Sequence, residues 1–363
     1  MQDRRLIDIF LELTAIDALS QNEKPVADYI KKFLANLGIT AVEDTTTELT
    51  GSNTGNLICK VGTGGDFALL SHMDTARPTK NLIAIVSEDR ITSSGDTILG
   101  GDDRAGISVI LYAVEKAVRE NAALKDFTIG FTVCEETTML GSRTIMLPEQ
   151  IRGGIIFDSQ YRPGKFIYAA CGAMYFKVKI IGKASHAGIF PEKGINSIAV
   201  ASAIIANISQ GRIDEETTVN IGTIQGGEAT NVVSPVTVFE GEVRSFDKDK
   251  VEKVMGDIRT TIIKLSEHMK AQYIIDDRWD FEPFVLPEVS PTYKRIYSAI
   301  AETGLEVQPV RSLGGSDANS LNARGIESVN IGIGAQNPHG DDEFILIEDL
   351  YKAAEIASKL IRK

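Results

Sequence analysis

A chain of 363 residues is longer than the roughly 250–300 at which one hydrophobic core stops growing, so two domains are expected. Hydrophobic residues at 43%, charged residues at 24%, and 32 glycines against 11 prolines exclude a disordered, fibrous or disulfide-stapled chain. Lys and Arg total 38 against 50 Asp and Glu; the resulting charge of −12 opposes a phosphate backbone or an anionic bilayer, which argues against nucleic acid and membrane as partners.

The opening segment, Met1 to Phe10, breaks its apolar positions with charges and so lacks a signal-peptide core, which predicts a cytoplasmic chain. Cys59, Cys134 and Cys171 are odd in number and widely spaced, and read as reduced packing residues. Residues 4–38 read as one or two helices, with Leu6, Ile9, Phe10 and Leu13, then Ala27, Ile30, Phe33 and Leu34, at helical spacing before Gly38. Short apolar runs follow: Phe67–Leu70, Phe127–Val133 and Gly154–Phe157 are nearly continuous, the pattern of strands covered by helices on both faces.

From about Ala173 the texture changes. Met174–Ile180 alternates, Ile195, Ile198, Ala201, Ile205 and Ile208 mark a helix over 195–208, Thr218–Gly222 and Val236–Val243 alternate again, and a charged helix covers roughly 248–270. After Pro287 the chain returns to helix (Thr292 to Thr303), strand (Ser328–Gly332) and a last helix (Ile347 to Leu360). The expected fold is therefore α/β, a mixed, largely parallel sheet flanked by helices over 1–172 and 286–363, interrupted by a two-layer α+β domain over 173–285.

Two of the four histidines, His72 and His339, lie just beyond predicted strands, at the carboxyl edge where open α/β sheets bind ligands. In Ser71-His-Met-Asp the period of two puts Asp74 beside His72, able to accept one imidazole N–H and leave the other nitrogen for a metal. Asp102 and Asp103 follow Gly100-Gly101 and precede a helix, where one acid is a normal N-cap and the other is available to a cation. Glu135 and Glu136 are adjacent carboxylates at a strand end, which favours a metal with one as ligand and the other free to take a proton. Asp158 closes the next strand. His72, Asp102, Glu136, Asp158 and His339 are one ligand short of three for each of two metals, a shortage removed if a carboxylate bridges; mixed imidazole and carboxylate ligation suits zinc, or manganese or cobalt.

These residues resemble the co-catalytic zinc exopeptidases and amidohydrolases, the family of aminoacylase, glutamate carboxypeptidase and succinyl-diaminopimelate desuccinylase, and within it the aminotripeptidases of the peptidase T type. The resemblance is carried by Ser71-His-Met-Asp-Thr, Gly101-Asp-Asp-Arg-Ala-Gly, Cys134-Glu-Glu, Ala184-Ser-His-Ala-Gly, Asn231-Val-Val-Ser-Pro, Arg244-Ser-Phe, Gly314-Gly-Ser-Asp, and His339 with Glu343. Three features depart from it: Arg104 in place of Lys, Ser316 in place of Thr, and Asn337-Pro338 before the last His. Arg104 also echoes the glutamyl aminopeptidase-like metalloenzymes.

The resemblance implies one metal on His72, Asp158 and Asp102, another on His339, Glu136 and Asp102, a bridging hydroxide as nucleophile, and Glu135 as general base with Asp74 supporting the centre. It implies a cis peptide between Asp102 and Asp103, a lid histidine at His186, and substrate contacts from Asn231, Arg244, Gly315 and Ser316. Arg244 also reads as a surface ion pair, and Ser316 or Asp317 as a helix cap. The insert becomes a lid and dimerisation domain, pairing through the 195–208 helix and an edge strand. The implied substrate is a short peptide. An N-acyl amino acid amidohydrolase is the alternative, and a non-catalytic peptide-binding protein has no use for Glu135.

Overall fold

The computed structural model describes residues 3–363, so Met1 and Gln2, where the charged opening begins, lie outside the described residues. Four strands stand side by side and parallel within a nine-stranded mixed sheet, in the order Phe127–Thr132, Phe67–His72, Gly153–Ser159, Glu327–Gly332. The first three are the continuous apolar runs of the sequence, the fourth is the strand read at Ser328–Gly332, and all are buried almost throughout, as parallel strands between helical layers must be. Leu57–Val61 and Ala41–Glu43 extend the sheet antiparallel on one side, and Lys165–Ala170 does so on the other.

The helix Gly101–Arg119 packs on Phe67–His72 and Gly153–Ser159 and is itself covered by Arg5–Thr14 and Ile347–Ile361, so it is buried nearly all round. The 4–38 pattern resolves into two helices, Arg5–Thr14 and Lys24–Asn36. The break contains Gln21 at φ 73, and Pro25 fits the first turn of the second helix because its missing N–H is unpaired there anyway.

Ala170–Phe284 with Leu313–Gly315 forms a second compact unit. Its antiparallel sheet runs Gly211–Arg212, Thr218–Gly226, Val236–Ser245, Gly172–Ile181, Gln272–Phe281. Alternation puts Met174, Phe176, Val178, Ile180, Phe239 and Val243 on one face, against the helices Ser197–Ala206 and Lys248–His268, in a core of its own. Asn196 and Asp247 set the helix starts by accepting two backbone N–H groups each. The fold is the α/β sheet with an inserted two-layer α+β domain that the sequence predicts.

One piece is new. Ala84–Val86, Arg90–Ser93, Phe344–Leu346 and Ala335–Gln336 make a small antiparallel sheet of strands too short to show a period, and residues 337–343 form one of its loops. Among the described residues no helix is long and apolar enough to cross a membrane, and Cys59, Cys134 and Cys171 are buried and form no disulfide.

Candidate active site

The carboxyl ends of the four parallel strands converge. His72 ends one strand and Asp158 is next to last in another; Glu135 and Glu136 follow a third after Cys134, whose φ of 54 turns the chain sharply. His339, at φ 67, sits in the 337–343 loop beyond the fourth. Asp102 comes from the turn opening the central helix, where Gly100 has φ 71 and the Asp102–Asp103 peptide is cis.

Asp102 stands between the histidines. Its Oδ1 lies 3.0 Å from His72 Nε2 and its Oδ2 3.5 Å from His339 Nε2. Asp158 Oδ1 is 3.5 Å from the same His72 nitrogen, and Glu136 Oε2 is 3.0 Å from the same His339 nitrogen. Two three-residue sets therefore share one carboxylate. Asp103 also falls within ligand reach of His72 and Asp158, but its oxygens already accept from Ser71 Oγ, the His72 N–H and the Gly106 N–H.

Carboxylates also hold the backbone that presents these groups. Asp74 accepts the N–H of Glu135 at 3.1 Å, the N–H of Glu136 at 3.2 Å and Ser20 Oγ at 2.6 Å. His72 Nδ1 lies 3.1 Å from the Asp74 carbonyl oxygen and 3.3 Å from its carboxylate, so the backbone shares the orienting role expected of the side chain. Buried Glu23 accepts the Cys134 N–H at 2.9 Å, and buried Glu343 accepts the N–H groups of Gly100 at 2.8 Å and Asp102 at 3.1 Å.

The electrostatics follow from crowding. Burial alone would depress the His72 imidazolium, yet Asp102, Asp158 and Asp74 hold it well above its ordinary range. Burial and the Asp102 charge push Asp158 up to about 8, and hydrogen bonds to Asp102 and Glu136 raise His339 to about 10. Burial raises Glu135 well above the usual carboxylate range, with the charges of Asp158, Asp317 and Glu136 adding to it. Glu136 is raised by burial too, and its Oε1 is buried without a hydrogen-bond partner. Two imidazoles, three carboxylates and an orphaned carboxylate oxygen fit divalent cations.

Residues 168–270 match the M20-type peptidase dimerisation domain. An uncharacterized protein of Bacillus subtilis strain 168, YqjE, is 32% identical over 100% of this chain and 99% of its own length. The aminopeptidase PepT of Bacillus cereus is 30% identical, with a TM-score of 0.91 over 99% of this chain and 97% of that one. The chain belongs to the M20 metallopeptidases. It is a metal-dependent peptidase on their peptidase T side; a Staphylococcus aureus tripeptidase, 28% identical over 99% of this chain and 97% of that one, superposes with a TM-score of 0.93.

In the M20 insert the structure brings His186 and Asn231 together: His186 pairs with Val232 and the Ala187 N–H donates to the Asn231 carbonyl at 2.9 Å. Both are exposed, and His186 Nδ1 accepts the Gly188 N–H at 3.2 Å, which leaves Nε2 as the protonated, donating nitrogen. Arg244 makes the ion pair that was its simpler reading: Nε and Nη2 meet Glu242 at 2.9 and 3.0 Å, while Nη1 donates to the Leu313 carbonyl at 3.0 Å. Gly315 is a glycine for space, since a Cβ would lie 2.7 Å from the Phe281 ring. Ser316 caps the helix Asp317–Ala323 through a reciprocal box with Asn319.

Besides Glu23, two site residues escaped the sequence. Asn330 accepts the Asp158 N–H at 3.2 Å and donates to its Oδ2 at 3.3 Å. Arg77 Nη1 donates to the His339 carbonyl at 3.1 Å and to Asp341 at 2.7 Å. An amide inside the apolar run Val329-Asn-Ile was a signal for the first. Arg77, in a polar loop far from His339 in sequence, gave none.

Proposed function

We propose that this chain is a two-metal exopeptidase that hydrolyses short peptides, tripeptides foremost. The observation that carries this reading is Asp102, whose two oxygens face His72 and His339 from different strand ends, with Asp158 and Glu136 completing two ligand sets. Two divalent ions, zinc or alternatively manganese or cobalt, would acidify the attacking water and polarise the scissile carbonyl. Glu135 takes the water's proton and passes it to the leaving amine, a role suited to a carboxylate whose proton affinity is raised by burial. Asp74 fixes the turn on which Glu135 stands.

Residues 173–285 act as lid and dimerisation domain. His186 offers Nε2–H to the developing oxyanion, Asn231 and Arg244 read the peptide backbone and terminal carboxylate, and Gly315 and Ser316 line the substrate loop. The guanidinium of Arg244 is already fixed in plane by Glu242 and the Leu313 carbonyl, so little entropy is lost on meeting a carboxylate. The buried cysteines, none in a disulfide, support a cytoplasmic setting.

A comparison of tripeptides, dipeptides, long peptides and N-acyl amino acids tests the reading. Tripeptides should have the highest kcat/KM; N-acyl amino acids in that position would replace it with the amidohydrolase. Amidating the peptide C-terminus should lower kcat/KM at least about tenfold, or roughly 1.4 kcal/mol, and Arg244→Ala should erase the difference between acid and amide. Equal rates for acid and amide in the unaltered protein would show that Arg244 does not read the terminus.

A further inference from the structure

Glu343 has no part in the chemistry above. Its carboxylate is buried, and Oε2 accepts the Gly100 N–H at 2.8 Å while Oε1 accepts the Asp102 N–H at 3.1 Å. The space it fills is tight, because a Cβ on Gly101, between those amides, would lie 3.1 Å from Oε1. One carboxylate thus clasps the turn that presents Asp102. The same residue ends the loop that carries His339: Gly340 N–H donates to the Asn337 carbonyl and Glu343 N–H to the Gly340 carbonyl, each at 3.1 Å, and Asn337 Nδ2 donates to Asp342 at 2.8 Å. The loop is internally braced, so a shift at Glu343 is passed to His339 and not absorbed between them.

We infer that Glu343 is a positioning residue for the metal centre: it locks the Asp102 turn to the His339 loop, so that the shared carboxylate and the exposed histidine keep one fixed spacing. The inference rests on the two-metal reading above. It follows from which atoms are held. Asp102 leaves the chain at a turn with no regular backbone pairing of its own, its φ and ψ being −84° and 106°, so the Glu343 bonds replace the ones a helix would supply. His339 is 49% exposed in its side chain against 1% for His72, so packing alone fixes it least. A clamp joining the least-packed ligand to the shared one bears on both ions, whereas Asn330 bears only on Asp158.

Calorimetric titration of chelated protein with Mn²⁺ or Zn²⁺ tests this, on the unaltered chain and on Glu343→Gln. An amide in place of the carboxylate turns an NH2 toward one of the two N–H donors. It should weaken ion binding about ten- to a hundredfold and lower kcat for a tripeptide by a similar factor, with KM within about twofold, and lower the melting temperature of the chelated protein by a few degrees, because one buried N–H loses its acceptor. On an Asp102→Asn background the same substitution should cost less, because one of the two ligands that Glu343 keeps in register is already lost. Unchanged ion affinity in Glu343→Gln, or an equal loss on both backgrounds, overturns the inference. If Glu343→Gln does not fold, Glu343→Asp keeps the charge but draws it back by one methylene from two amides; it should show the same loss of affinity, and wild-type affinity there overturns the inference as well. An unaltered chain that takes up fewer than two ions sinks the two-metal reading itself, which the Glu343 variants alone do not.

Discussion

Glu135 and Glu136 are neighbours whose N–H groups are held by the same carboxylate, Asp74, so what separates them is where their side chains go. Glu136 reaches His339 at 3.0 Å, and Glu135 makes no such approach but stands half-buried among the charges of His72, Asp158 and Asp317. Glu135→Gln should therefore leave ion uptake near two per chain while lowering kcat by about 10²–10⁴-fold, since it removes the proton acceptor and no ligand. Glu136→Gln should weaken ion binding first. Elemental analysis beside kcat checks both, and the reverse pattern would mean that base and ligand are exchanged. At this scale the residue types were readable because chemistry constrains them: His-x-Asp, Glu-Glu and an acid after Gly-Gly are recognisable one by one. Their holders were not, because Glu23, Asn330 and Arg77 act through backbone amides and carbonyls that no side-chain pattern records, and even Glu343, legible beside His339, showed nothing of the amides it accepts from.

The long elements were read within a few residues because their burial has a period. Phe127–Thr132 and Gly153–Ser159 are continuous apolar runs, and Ser197–Ala206 and Lys248–His268 show the helical repeat. The sheet that holds the His339 loop escaped, since strands of two to four residues show too few repeats to differ from loop. Close approach between elements is also invisible until the backbone is placed. Gly106 is the case with most at stake: a Cβ there would lie 1.9 Å from the Phe157 carbonyl oxygen and 2.5 Å from Asp103 Oδ1. The helix Gly101–Arg119 must cross the strand that carries Asp158 at that distance if Asp102 and Asp158 are to face the same histidine. Gly106→Ala should cost about 1–3 kcal/mol of stability by overpacking, read as a lowered urea midpoint, and should also weaken ion binding by moving Asp158 away. A stable variant with full ion affinity would show that the crossing has slack.

For the whole molecule, the convergence of acids and histidines makes stability depend on pH. In the metal-free protein His339 is raised to about 10, Asp158 to about 8 and Glu343, through burial, to about 7, all above their ordinary ranges. The folded chain then binds more protons than the unfolded one through neutral pH, so stability falls as pH rises: the histidine contribution is fully present below about 6.5 and fades toward 10. The melting temperature of chelated protein should drop between pH 6 and pH 9, and the gain on adding Mn²⁺ or Zn²⁺ should be larger at pH 9, because bound ions displace those protons. A flat profile without metal would refute this. The second whole-molecule prediction concerns assembly through the insert. Thr218–Gly226 is paired on its outer side only at Thr218 and Val219, by Gly211–Arg212, which leaves the edge of 220–226 without a strand partner among the described residues. Ile224 on that edge is 50% exposed and Ile198, in the first turn of Ser197–Ala206, is 38% exposed. Ile198 reaches the end of this edge strand, since a Cβ on Gly227, just past it, would lie 3.1 Å from Ile198 Cδ1. An open edge beside apolar side chains is covered at least cost by the same edge of a second copy, which pairs the strand and buries the isoleucines in one two-fold contact. Light scattering at micromolar concentration should give a dimer, and Ile224→Asp with Ile198→Asp should give a folded monomer, because a charge at each of four sites would have to be buried across the axis. If the unaltered chain is a monomer with full activity, the edge is not an interface, and His186 must serve the metals of its own chain.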